Sequence, residues 1–111
     1  MAEPTEADRR DHHAIVQRLA QLGFALPGTL LERSHVCGKR GCRCMAEPSR
    51  PHGPFHQWTR KIAGKTVTRR LTDEQVGHLG PWFDNARRAR ELLAELEALS
   101  LRIAERYGDW A

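Results

Sequence analysis

A chain of 111 residues has the size of one compact domain, and its 40% hydrophobic content supports a single modest core. The charged fraction of 29%, against three Trp, three Phe and one Tyr, favours helices with solvated faces over a large apolar interior. No run approaches the roughly 20 apolar residues that cross a bilayer, and the opening MAEPTEADRRDHH is acidic where a secretory signal is basic and then apolar, so a cytoplasmic protein with no membrane partner is expected.

From about Thr5 to Leu22, Ile15, Val16, Leu19 and Leu22 recur at helical spacing behind acidic residues, and Gly23 follows as a C-cap. His12 and His13 sit among charges and read as a solvated helix face. Pro27-Gly28 fits the middle of a tight turn, and Thr29 to Val36 is a candidate strand. The segment CGKRGCRC then runs into MAEPSRPHGP, whose prolines extend neither a helix nor a central strand. Phe55 to Leu71 reads as a hairpin: Trp58, Ile62, Val67 and Leu71 with Thr66 and Thr68 favour strands, and Ala63-Gly64 is the turn. Thr72 has the features of an N-cap, with Asp73 and Glu74 in the first turn and Gln75 completing a capping box. Gly77, Gly80 and Pro81 weaken this helix at its start.

From Pro81 to about Arg106, Trp82, Ala86, Ala89, Leu93, Leu96 and Ile103 mark a helical stripe that Leu92 and Leu99 widen. At 1.5 Å per residue such a helix is about 40 Å long. It either packs along the first helix and projects beyond it, or pairs with another chain through Trp82–Ile103 as a coiled-coil dimer or with a partner helix. The expected fold is α+β: an N-terminal helix, a zinc-stapled loop with a small antiparallel sheet or hairpin, and a long C-terminal helix. We read residues 1–111 as a single domain, with helix and connector in 1–28, a basic β module in 29–71 and the C-terminal helix in 72–111.

The stapling metal is inferred from the cysteines. There are three, an odd number clustered in a chain expected to be reduced, which points to metal ligands rather than disulfides. Structural zinc takes four tetrahedral N or S donors, so Cys37, Cys42 and Cys44 need one more. His52 is favoured, because the proline-rich loop before it leaves the approach angle open; His35 and His56 are the alternatives. Gly38 and Gly41 give the chain the backbone freedom to wrap an ion, while Lys39, Arg40 and Arg43 stabilise thiolates, which suits zinc and reactive sulfur alike. A redox or catalytic thiol has less behind it, since C-x-x-C is absent, a Cys42–Cys44 disulfide would be strained and no His/Asp set surrounds one nucleophile. The expected cofactor is therefore one structural Zn2+.

The residues CGKRGCRC, then HGPF, then GKTVTRRLT leading into a charged helix resemble an uncharacterised family of short bacterial and archaeal proteins, over about Leu26 to Leu99. That resemblance favours Cys37, Cys42, Cys44 and His52 as a ligand set and implies no activity. A shorter likeness, Phe55 to Leu99, is to the arm-binding domains of phage integrases, which place a small sheet on DNA; here two clear strands follow the cysteines.

Charge gives the functional expectation. Residues 32–71 carry ten Lys and Arg against two acids, a local +8 within a total of +4, so the basic charge sits on the cysteine and hairpin segment. Lys39, Arg40, Arg43, Arg60, Lys65, Arg69 and Arg70, interleaved with Phe55, Trp58, Gln57, Thr66 and Thr68, suit phosphate contacts and base stacking. The expected function is nucleic-acid binding on a basic hairpin ribbon, with DNA ahead of RNA. The alternative is an adaptor that dimerises or pairs through the C-terminal helix. No phosphate loop, paired-carboxylate site or Ser-His-Asp set is recognisable, and Asp73 and Glu74 are explained by capping, so an enzyme is not expected.

Overall fold

The computed structural model describes residues 3–35, 41–42 and 52–108, with residues 35, 52 and 53 described by their backbone alone. They form α1 (Glu6–Ala20), β1 (Thr29–His35), β2 (His52–Ile62), β3 (Lys65–Leu71) and α2 (Asp73–Glu105). The architecture is the expected α+β: a helix, an antiparallel sheet in the order β1-β2-β3, and a long C-terminal helix. Contacts divide the chain into two compact units, Met1–Ala25 with Asp84–Ala111, and Leu26–Phe83. Among the described residues no helix is long and apolar enough to cross a membrane.

In the helical unit, Thr5 starts α1 through a capping box: the Asp8 N–H donates to the Thr5 hydroxyl at 3.1 Å, and the Thr5 N–H donates to Asp8 Oδ2 at 2.8 Å. The expected glycine cap at the other end is not used. The helix closes on Gln21 in the right-handed region, where the N–H groups of Gln21 and Leu22 donate to Arg18 and Leu19 carbonyls at 3.3 and 3.2 Å. These three-residue bonds tighten the last turn and satisfy its carbonyls without a left-handed residue. Gly23 instead allows a close approach, since a Cβ there would lie 3.2 Å from Asn85 Nδ2, which donates to the Phe24 carbonyl at 2.9 Å.

The core of this unit is Ile15, Leu92 and Leu99, with Leu19, Leu22, Leu96 and Ile103 packed against it. Leu92, Leu96, Leu99 and Ile103 follow the four-three-four spacing of a coiled-coil seam, and α1 fills it. The ion pairs Asp8–Arg106, Asp11–Arg102 and Arg18–Glu95 run in opposite senses along the two helices and so mark an antiparallel pairing. Much of the stripe that offered a dimer seam is thus covered within the chain, whereas Leu93 stays 51% exposed. His12 and His13 are exposed, as their charged neighbours suggested.

In the sheet unit, the hairpin turns on Ala63 and Gly64, both at positive φ (50° and 81°), as a two-residue turn matched to strand twist requires. β2 begins at His52, three residues before the expected hairpin start, and it is the central strand although it contains Pro54. Two features make that proline tolerable. The register shifts between Arg33 and His35, so β2 carries an extra residue around Gly53-Pro54, and β3 reaches only as far as His56, which pairs with Leu71. Pro54 therefore lies in a bulge with one neighbouring strand, where a missing N–H costs little.

Trp58 is the anchor of this unit. It is 9% exposed, donates its indole N–H to the Pro27 carbonyl at 2.9 Å, and meets Phe83 edge to face at 5.8 Å. Gly28 has φ +110°, and a Cβ there would come within 2.5 Å of Trp58 Nε1, so glycine is required on both counts. α2 starts on the expected capping box, Gln75 N–H to the Thr72 hydroxyl at 3.1 Å and Thr72 N–H to Gln75 Oε1 at 2.8 Å. It runs through Pro81 and is 33 residues long in all. The residue before a helical proline suffers a clash at its Cβ, and here it is Gly80, which has none.

Candidate nucleic-acid interface and cysteine loop

Strand pairing decides which basic side chains share a surface. Directly paired residues in adjacent strands project to the same face, and the face alternates along each strand. Trp58 pairs with Leu30 and Arg69, and its face also carries Glu32, His56, Arg60, Lys65, Val67 and Leu71. Gln57 pairs with Leu31 and Arg70, and its face carries Thr29, Arg33, Phe55, Thr59, Lys61, Thr66 and Thr68. The single charged ribbon expected from Arg60, Lys65, Arg69 and Arg70 is divided, with the first three on the Trp58 face and Arg70 on the other. Neighbours in sequence such as Arg69 and Arg70 must part company in a strand.

On the Trp58 face Lys65 and Arg69 are exposed, whereas Arg60, Trp58 and His56 are engaged within the protein. The Arg60 guanidinium carbon lies 4.1 Å over the Trp58 ring centroid, and Arg60 Nε is buried. A guanidinium held there contributes a cation–π contact. Trp58, expected as a group able to stack on bases, is buried and already engaged. His56 directs Nε2 at Asp73 Oδ1, 3.5 Å away.

The Gln57 face is different. Its ten positions include Arg33, Lys61 and Arg70 and no carboxylate. Leu31, Arg33, Lys61, Thr66, Thr68 and Arg70 are exposed, and Phe55, Gln57 and Thr59 are half-buried. The Arg70 guanidinium carbon sits 3.9 Å over the Phe55 ring, and the Thr59 and Thr68 hydroxyls are 3.4 Å apart across the strands. Sequence reasoning missed Arg33 and Lys61 as members of this surface; alternation from Gln57 could have placed Lys61, whereas Arg33 needed the β1–β2 register.

Of the expected metal ligands, Cys37 and Cys44 lie outside the described residues, as do the side chain of His52 and the basic residues Lys39, Arg40 and Arg43. Cys42 is half-buried, and Gly41 beside it takes φ +81°, the conformation for which a glycine was expected in a metal-wrapping loop. Among the described residues no three of His, Cys, Asp and Glu converge as a metal would require. The backbone does bring His35 and His52 together as directly paired residues, so the segment between them, with all three cysteines, is closed at its base by the β1–β2 ladder.

The profile of a family described as Domain of unknown function (DUF6788) matches residues 5–79. The chain belongs to this family. The DUF6788 match runs from the N-cap of α1 through the three strands to the opening turns of α2, so it contains the cysteine loop and both sheet faces. No curated protein and no solved structure matches the DUF6788 chain.

Proposed function

We propose that this protein is a small zinc-stabilised nucleic-acid-binding protein, acting by binding rather than catalysis, in the cytoplasm, with DNA ahead of RNA. The observation that carries this reading is the Gln57 face of the sheet, which groups Arg33, Lys61 and Arg70 with Gln57 and four threonines and contains no acid. A polyanion meets no repulsion there, and the side chains that are uncharged offer hydrogen bonds. The zinc reading, with Cys37, Cys42, Cys44 and His52 as ligands, is supported by the closed base of the loop; His35 lies beside His52 there, while His56 turns to Asp73. Lys39, Arg40 and Arg43 would then add charge from the loop.

Mobility shift and salt titration test the reading. If Arg33, Lys61, Arg70, Lys39, Arg40 and Arg43 touch phosphates, affinity for duplex DNA should fall with salt at a log-log slope of about −5. Arg70→Ala should weaken binding and flatten that slope by about 1, whereas Arg69→Ala, on the opposite face, should leave the slope unchanged. Failure of the wild type to bind any nucleic acid at low salt rejects the function. A second reading, an adaptor working through the C-terminal helix, draws on Leu93, Leu101 and Tyr107, which are 51%, 66% and 45% exposed. A strictly monomeric mass in sedimentation removes its dimeric form.

A further inference from the structure

We infer, resting on the nucleic-acid function proposed above, that the Gln57 face docks in the major groove of B-form DNA and that Gln57 reads an adenine there. The major groove, about 12 Å wide, admits a two-stranded β-ribbon such as β2 and β3 form, with β1 alongside it, and a minor groove of about 6 Å does not. The layout of the face follows the same logic. Its central strand carries uncharged side chains at the middle, Gln57 and Thr59, and the cations lie around them: Arg33 on β1, Lys61 beside the hairpin turn and Arg70 on β3. Charge at the rim meets phosphates, and amides and hydroxyls at the centre meet base edges.

Single-stranded partners are usually held by stacking on exposed aromatic rings. Here the aromatic ring on the face is Phe55, half-buried with the Arg70 guanidinium over it at 3.9 Å, and Trp58 is buried on the other side of the sheet. The major groove of A-form RNA is deep and too narrow for side chains to read. Gln57, in the central row between Leu31 and Arg70, is the residue placed to read. Its amide presents a donor and an acceptor side by side, the complement of adenine N7 and N6, and the exposed Leu31 next to it offers apolar contact to a thymine methyl.

The zinc-loaded full chain is used to select from a randomised duplex DNA library, and the best duplex is compared by fluorescence anisotropy with its separated strands, its RNA counterpart and variants in which each A·T pair becomes G·C. The duplex DNA should bind tightest, and one A·T to G·C change should weaken binding roughly 10- to 100-fold. Gln57→Ala and the similarly shaped Gln57→Met should both abolish that discrimination and keep the salt slope. Lys61→Ala should do the reverse, reducing the slope and keeping the preference. Tighter binding of single strands or duplex RNA, or discrimination that survives in both Gln57 variants, overturns this inference and leaves nucleic-acid binding standing. Absence of binding to every pool overturns both.

Discussion

Asp8 illustrates how much one side chain can carry in a small core. It is 7% exposed, it completes the capping box of α1, and it receives the Arg106 guanidinium on the same carboxylate oxygen. The Arg106 hydrogen bond, and after it the Thr5 N–H, hold its pKa down from 3.8 to about 2. A carboxylate whose pKa is lower folded than unfolded stabilises the fold above the unfolded value and loses that contribution as pH falls through the folded one. Asp8→Asn should therefore melt below the wild type at pH 7, with the gap closing as pH drops from about 4 towards 2. Circular-dichroism melts at a series of pH values give the result; a gap that does not change with pH would mean that the carboxylate charge contributes nothing. Asp11–Arg102 and Arg18–Glu95 are solvated pairs and should matter far less.

At the scale of elements, local chemistry explains most of what forms. Apolar spacing gives both helices, Thr5 and Thr72 cap them, and Ala63-Gly64 folds the hairpin. The alanine is the weak point of that turn, because a left-handed conformation costs an ordinary L-residue roughly 1 kcal/mol or more. Ala63→Asn, which supplies the Asn-Gly pair favoured in such turns, should stabilise the protein by up to about 1 kcal/mol in denaturant titration; no gain would show that the turn is held by its strands alone. Where element reading went astray, non-local pairing is responsible. Pro54 argued against a central strand, and the bulge opposite Arg33 and His35 together with the short reach of β3 made room for it. Gly23 follows the last apolar residue of α1 as a cap would, but its close neighbour is Asn85, far away in sequence, whose Nδ2 would lie 3.2 Å from a Cβ there.

For the whole molecule, the charge is distributed by sequence segment and then sorted again by the sheet. Residues 32–71 hold the excess of +8, and strand alternation sends Arg33, Lys61 and Arg70 to a face without acids while Arg60 goes to Trp58. The cysteine segment joins β1 to β2, so metal binding and sheet integrity are expected to be linked. Native mass spectrometry should find one zinc per chain, and Cys42→Ser should lose it, lower the melting temperature and weaken DNA binding together. Retention of fold and melting temperature without metal would remove zinc from the structural account.

The sequence by itself determined the α+β class, the extents of α1 and the hairpin to within a few residues, the cap at Thr72, and the segment on which positive charge collects. All of these depend on residues within a few positions of one another. Only the tertiary structure decided that α1 fills the Leu92–Ile103 seam, that β1 joins the hairpin as a third strand, and that adjacent arginines belong to opposite faces. Those outcomes rest on which distant surfaces pair and in what register. An apolar stripe shows that a surface is to be covered, but a register shared between segments tens of residues apart is not written in either one alone.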